Sequence, residues 1–263
     1  EIDMDINVLQ ALLIGLWTAF CFSGMLLGIY TNRCIILSFG VGIILGDLPT
    51  ALSMGAISEL AYMGFGVGAG GTVPPNPIGP GIFGTLMAIT SAGKVTPEAA
   101  LALSTPIAVA IQFLQTFAYT AFAGAPETAK KQLQKGNIRG FKFAANGTIW
   151  AFAFIGLGLG LLGALSMDTL LHLVDYIPPV LLNGLTVAGK MLPAIGFAMI
   201  LSVMAKKELI PFVLIGYVCA AYLQIPTIGI AIIGIIFALN EFYNKPKQVD
   251  ATTVQGGQQD DWI

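Results

Sequence analysis

The sequence predicts an all-α, polytopic integral membrane protein, and three observations carry that prediction. Hydrophobic residues make up 56% of the 263-residue chain and charged residues only 10%, whereas a soluble domain carries about 25% charged side chains. The charges are also segregated: no Asp, Glu, Lys or Arg occurs in 6–32, 60–93, 99–126, 143–167 or 209–240. Each of these stretches can cross a hydrocarbon core of about 30 Å, which takes about 20 apolar residues. Lipid offers no partner for backbone N–H and C=O groups, so such runs are helical.

The same composition excludes several functions. The net charge is −2 and no basic patch is interleaved with aromatics, so a nucleic-acid partner is not expected. No phosphate-binding glycine loop of the nucleotide-hydrolase type occurs. Cys21, Cys34 and Cys219 lie scattered in apolar sequence without a CxxC pair, and His172 is the single histidine. That leaves too few soft ligands for a zinc or haem site, so no metal or cofactor is expected.

Taken in order, the segment 7–29 lacks a basic region before it and reads as a retained span, not a cleaved signal. Segment 34–46 lies between Arg33 and Asp47 and gives only about 20 Å of helix. Further segments follow at 50–66, 79–93, 98–123, 143–166, 168–183, 185–204, 209–223 and 226–243. Several are too short to cross alone. Short pieces broken by Gly and Pro are what transporters place at a midplane substrate site, and a Pro-kinked ordinary helix is the alternative. The region 209–240 holds either one long span or two short ones broken near Pro226.

Lys130, Lys131, Lys135, Arg139 and Lys142 make 126–142 the densest basic loop, which places it in the cytoplasm. The patches Lys206-Lys207 and Lys245/Lys247 share that side if 143–205 and 209–243 each cross out and back. His172, between Asp168 and Asp175, then faces outside, away from any phosphoryl donor, and no catalytic residue is assigned. The expected organisation is one membrane-embedded unit, 5–244, followed by a polar, disordered tail, 245–263.

The stretch 54–84 is richest in chemistry. Glu59 is a carboxylate in an uncharged helix, which costs about 2.5–3.5 kcal/mol at the bilayer centre, so it must face a cavity or a partner. It suits ligand hydroxyls or a proton; pairing with a buried donor or a helix end is the structural alternative. Gly64, Gly66, Gly68, Gly70 and Gly71, followed by Pro74, Pro75, Asn76 and Pro77, cannot continue as regular helix. An unwound segment at membrane depth is tolerated only against a cavity or inside protein; a loop outside the membrane is the other reading. Thr72 and Asn76 would add donors and acceptors fitted to a hydroxyl-rich solute. Gln112 and Gln10 are further ligand candidates, while Gln and Asn in spans, Gln115 and Asn146 included, often bond helix to helix.

Taken together, Val8-Leu9-Gln10, Gly42 to Asp47 with Thr50, Gly55 to Leu60, the Pro-Pro-Asn-Pro run at 74–77, Pro178-Pro179, Val187 to Phe197 and Asn240-Glu241-Phe242 resemble, in order and spacing, the IIC subunit of the mannose-type sugar phosphotransferase system. The resemblance spans residues 5 to about 244. The Pro-Pro-Asn-Pro run looks like the N-acetylgalactosamine/galactosamine branch, and the Asp that mannose-type members carry near it is absent.

The resemblance implies short and re-entrant broken helices in an elevator-type transporter core moving against a scaffold, in a bacterial inner membrane. It implies a IID membrane partner, trimers of such pairs, and soluble IIB and IIA phosphocarriers that phosphorylate the sugar. It assigns sugar contacts to Glu59, Thr72 and Asn76, with Gln112 beside them. A proton- or Na⁺-coupled transporter, with Glu59 as the coupling group, is the competing class; a membrane enzyme on lipid-linked sugars would want clustered acids near one interface, which are lacking.

Overall fold

A computed structural model of the chain describes residues 6–63, 75–91, 93–204, 206 and 209–244. Among them every regular element is helical. Helix α1 (Val8–Gly24) runs into a 3-10 turn at Met25–Leu27 and is followed by α2 (Cys34–Leu45) and α3 (Leu48–Tyr62). A π-helical turn, Gly79–Gly84, continues as α4 (Thr85–Thr90). Then come α5 (Pro97–Ala121), α6 (Ala125–Gln134), α7 (Ile138–Leu165), α8 (Met167–Asp175) and α9 (Pro179–Met204). The last two are α10 (Ile210–Ala221) and α11 (Thr227–Asn244). Among the described residues, helical stretches beginning at Val8, Pro97, Ile138, Pro179 and Thr227 are long and apolar enough to cross a bilayer.

The chain divides into two compact units, Glu1–Met204 and Ala205–Ile263. In the first, α1 lies antiparallel to α7 at very close range. A Cβ on Gly156 would sit 2.9 Å from the Thr18 carbonyl, and one on Gly15 would meet Leu161. Small residues let the two backbones approach, which is how helices gain dispersion contact where lipid removes the hydrophobic drive. Helix α9 packs against α3 and α5 in the same manner: Gly196 faces the Leu60 carbonyl and Gly189 the Glu98 carbonyl. Two spans, α5 and α9, carry an internal proline, Pro106 and Pro193, as membrane helices tolerate.

The short elements lie inside this frame. At 12 and 15 residues, α2 and α3 are about 18 and 22 Å long, too short to cross. They form a hairpin whose turn is Gly46, at φ 80°, a left-handed conformation that favours glycine. Asp47 then caps α3, its Oδ1 accepting from the Thr50 N–H at 3.2 Å, with Pro49 in the first turn, where no N–H is needed. The π turn and α4 are also too short to cross, and every residue from Ile78 to Ser91 is buried. This is a broken helical element enclosed by protein.

Two expected boundaries move. The segment 126–142 is not a loop: α6 fills Ala125–Gln134 and α7 begins at Ile138. Its polar composition hid an amphipathic helix, marked by the Glu127–Lys131 pair at 2.9 Å, one turn apart. The break expected near 184 falls at 176–178, where Pro178 and Pro179 end α8 and open α9. In the second unit the break near Pro226 separates α10 from α11. That turn carries Gln224 at φ 48°, and the rings of Phe212 and Phe237 pack 5.5 Å apart.

Candidate functional site

The start of α2 gathers most of the polar groups. Arg33, its N-cap residue, donates through Nε to Glu59 Oε1 at 2.6 Å, and a second guanidinium nitrogen forms an ion pair with the same carboxylate. The Ile35 N–H donates to Glu59 Oε2 at 3.4 Å. Glu59 therefore has the partner its place in the membrane demands, in the form of a cation and a helix N-terminus. Its side chain keeps 21% exposure and that of Arg33 50%. The ion pair is thus partly exposed.

Next to it, Cys34 Sγ lies 3.9 Å from the Pro77 carbonyl, which joins the Pro-rich segment to the same helix start. Asn76 is fully buried. Its backbone N–H donates to the Ala108 carbonyl of α5 at 3.1 Å, its Oδ1 accepts from the Ile78 N–H at 3.0 Å, and its Nδ2 donates to Gln115 Oε1. Asn76 thus pins the start of the π-helical segment to α5 at two atoms, while its Oδ1 caps that segment's own first turn. Deeper in, Thr85 Oγ1 donates to Ser38 Oγ at 2.8 Å, and the Ser38 hydroxyl is shared between the Cys34 carbonyl at 2.8 Å and the Gly81 carbonyl at 3.3 Å. This hydroxyl chain ties the π turn to α2.

Of the residues expected at the site, Glu59, Asn76, Pro75 and Pro77 come together here. Gln112 is half-buried on α5, one turn from Gln115 and on the same face. Gln10 lies elsewhere, in the first turn of α1, where its Oε1 accepts from the Asn7 N–H at 2.9 Å and closes a capping box. Thr72, Gly70, Gly71 and Pro74 fall outside the described residues. One participant carried no signal in the sequence, Arg33, which reads as a span boundary; Gln115, expected to bond helix to helix, accepts from Asn76, 39 residues away. A separate open cleft of about 670 Å³ lies at the other end of the α2–α3 hairpin.

Comparison with known proteins assigns this architecture. Residues 8–240 match the family described as the sorbose-specific IIC component of the PTS system. The chain is 34% identical to the N-acetylgalactosamine permease IIC component 1 of Escherichia coli K12, over 69% of this chain and 67% of that protein. It is 27% identical to the sorbose-specific EIIC component of Lacticaseibacillus casei, over 93% and 88%. A solved structure described as a membrane protein superposes with a TM-score of 0.81 at 28% identity, covering 92% of this chain and 98% of the other. The mannose transporter ManYZ in complex with microcin E492 superposes at 0.57, with 28% identity over 93% and 99%. A multi-pass helical membrane chain matched over nearly its whole length in this way belongs to the mannose/sorbose-type IIC family, the sugar-permease membrane components of the phosphotransferase system.

Proposed function

We propose that this chain recognises and translocates an amino sugar, N-acetylgalactosamine or galactosamine, as the IIC subunit of a phosphotransferase permease in a bacterial inner membrane. The observation that carries the choice of sugar is the graded likeness. Identity is 34% to one N-acetylgalactosamine IIC component and 37%, over 46% of the chain, to a second protein described as a putative one. It is 28% and 27% to the mannose and sorbose components.

The partners follow from the same reading. A IID membrane subunit pairs with this chain, and the pairs assemble as trimers. The two-component name ManYZ of the structural relative supports the pairing. Soluble IIA and IIB proteins carry phosphate from phosphoenolpyruvate to the sugar at the inner face. The chain's part is recognition and movement: a core that includes the hairpin and the broken helical element shifts against the scaffold helices. Residues 5–244 act as one transport unit, with 245–263 as a cytoplasmic tail. Glu59, Thr72 and Asn76 contact the sugar, with Gln112 next to them. A partly exposed carboxylate offers charge-assisted acceptors to sugar hydroxyls.

An ion-coupled transporter fits less well. Glu59 is already matched by Arg33, so it presents no uncompensated charge for an ion to satisfy. The test is uptake of labelled N-acetylgalactosamine by membrane vesicles holding this chain and its partner subunits, with and without phosphoenolpyruvate and the soluble carriers. Accumulation of sugar phosphate only with the relay present is expected; uptake that follows a proton or Na⁺ gradient overturns the proposal. In the same vesicles Glu59→Gln should weaken sugar binding about tenfold or more, as loss of a charged hydrogen bond worth about 1.5–3 kcal/mol requires.

A further inference from the structure

The cleft at the far end of the α2–α3 hairpin is built from other residues than the site around Glu59. Asp47, Thr50 and Ser53 line it from α3, Thr96 lines it from the cap of α5, and Ile89 and Val95 form part of its wall. All belong to the first unit. Its volume, about 670 Å³, lies within the range of small-molecule sites, about 300–1,000 Å³. Asp47 uses only Oδ1 for its cap. Its Oδ2 and the hydroxyls of Thr50 and Ser53 make no hydrogen bond among the described residues, so three polar groups on one helix end present unfilled capacity to the cleft. Pro49 and Pro97, which also line it and are at least partly exposed, supply an apolar surface. A carboxylate and hydroxyls beside an apolar wall match the two faces of a pyranose, hydroxyls on its edge and C–H groups on its flat side.

The ligand's charge follows from the same lining. Among the described residues no Lys or Arg lines the cleft, and Asp47 does. A phosphorylated sugar would meet like charge there, whereas a neutral sugar or one with an ammonium group would not.

Its side of the membrane follows from the helices that frame it. The cleft is at the N-terminus of α5, and the basic α6 follows the C-terminus of α5. At 25 residues, α5 spans about 37 Å, so the cleft and α6 lie on opposite faces. By the positive-inside rule α6 is cytoplasmic. The register of α9 agrees: near its start Thr186 Oγ1 meets Thr96 Oγ1 at 3.5 Å, and near its end Gly196 meets Leu60. Asp47 is thus at the outer end of α3 and Glu59 at the inner end, about 18 Å apart along the helix.

We infer that this cleft is an extracytoplasmic reception site for the unphosphorylated sugar, filled before the sugar reaches Glu59. The inference rests on the reading that this chain carries a sugar inward.

The test uses right-side-out vesicles holding the full chain with its IID partner. Ser53→Cys is treated with a charged, membrane-impermeant maleimide; the native Cys21, Cys34 and Cys219 are buried, and the wild-type chain gives the background. N-acetylgalactosamine, galactosamine and mannose are added in turn, and uptake is followed in parallel. Labelling from outside is expected, slowed about tenfold by the sugar that is taken up and not by its phosphate. Adding Asp47→Asn and Thr50→Val should raise the sugar concentration needed for protection about tenfold. Asn caps a helix as well as Asp does, and Val is close to Thr in shape, so the hairpin stays folded.

Labelling only in inverted vesicles overturns the inference, as does a sugar that enters but gives no protection. In the second case the transport reading stands. If none of the three sugars enters with the phosphate relay, the transport reading fails and this inference fails with it.

Discussion

Asn76 and Gln115 illustrate how much rests on single side chains in an apolar interior. Both are buried, and each is the other's partner. Asn76→Ala would strand the Gln115 carbonyl oxygen and the Ile78 N–H, and an orphaned buried polar group costs about 1–3 kcal/mol. We expect a clear drop in the thermal unfolding temperature of the purified protein in detergent. The double variant Asn76→Ala with Gln115→Ala should lose less than the sum of the two single changes, because the groups are coupled; additive losses would contradict the pair. Glu59 was legible as a residue in need of a partner, because a lone carboxylate in an uncharged helix demands one. That the partner is Arg33 was not legible, since 26 residues separate them and only the closing of the hairpin brings them together.

The helices divide into those whose ends are written in local chemistry and those whose ends are not. Arg33 and Asp47 bound α2 in the sequence, and its short length followed from them. Pro226 marked the break before α11. The π turn had no such mark: Gly79–Gly84 reads as any Gly-Pro stretch, and its shape depends on neighbours. Gly79 is needed where α5 comes close, since a Cβ there would overlap the Ala108 backbone. The contact between α9 and α5 makes the same demand of Gly189, whose added Cβ would fall on the Glu98 carbonyl oxygen. Backbone cannot rotate aside as a side chain does. Gly189→Ala should therefore force the helices apart and cost about 1–3 kcal/mol, read as a lower melting temperature. Gly158→Ala, where nothing lies within 4 Å of the added atom, should leave it nearly unchanged. Equal behaviour of the two would argue against this packing.

Across the whole molecule, the membrane class was plain from composition alone, because a chain this poor in charge has nowhere else to put its side chains. Its orientation depends on a few lysines. With α6 in the cytoplasm, Lys135→Cys should react with an impermeant maleimide in inverted vesicles and not in right-side-out ones; the reverse pattern would turn the topology over. Of the Gly- and Pro-rich run, the described part places Asn76 and Pro77 beside the start of α2, while the cleft at Asp47 went unread because its lining comes from three separate segments.

The half-length hairpin also sets a distance. If the transport reading proposed above holds, a solute handed from Asp47 to Glu59 travels about 18 Å along α3, and each residue added between them would lengthen that step by about 1.5 Å. On that reading the length of the step is set by this chain, countable in residues, and not by the lipid around it.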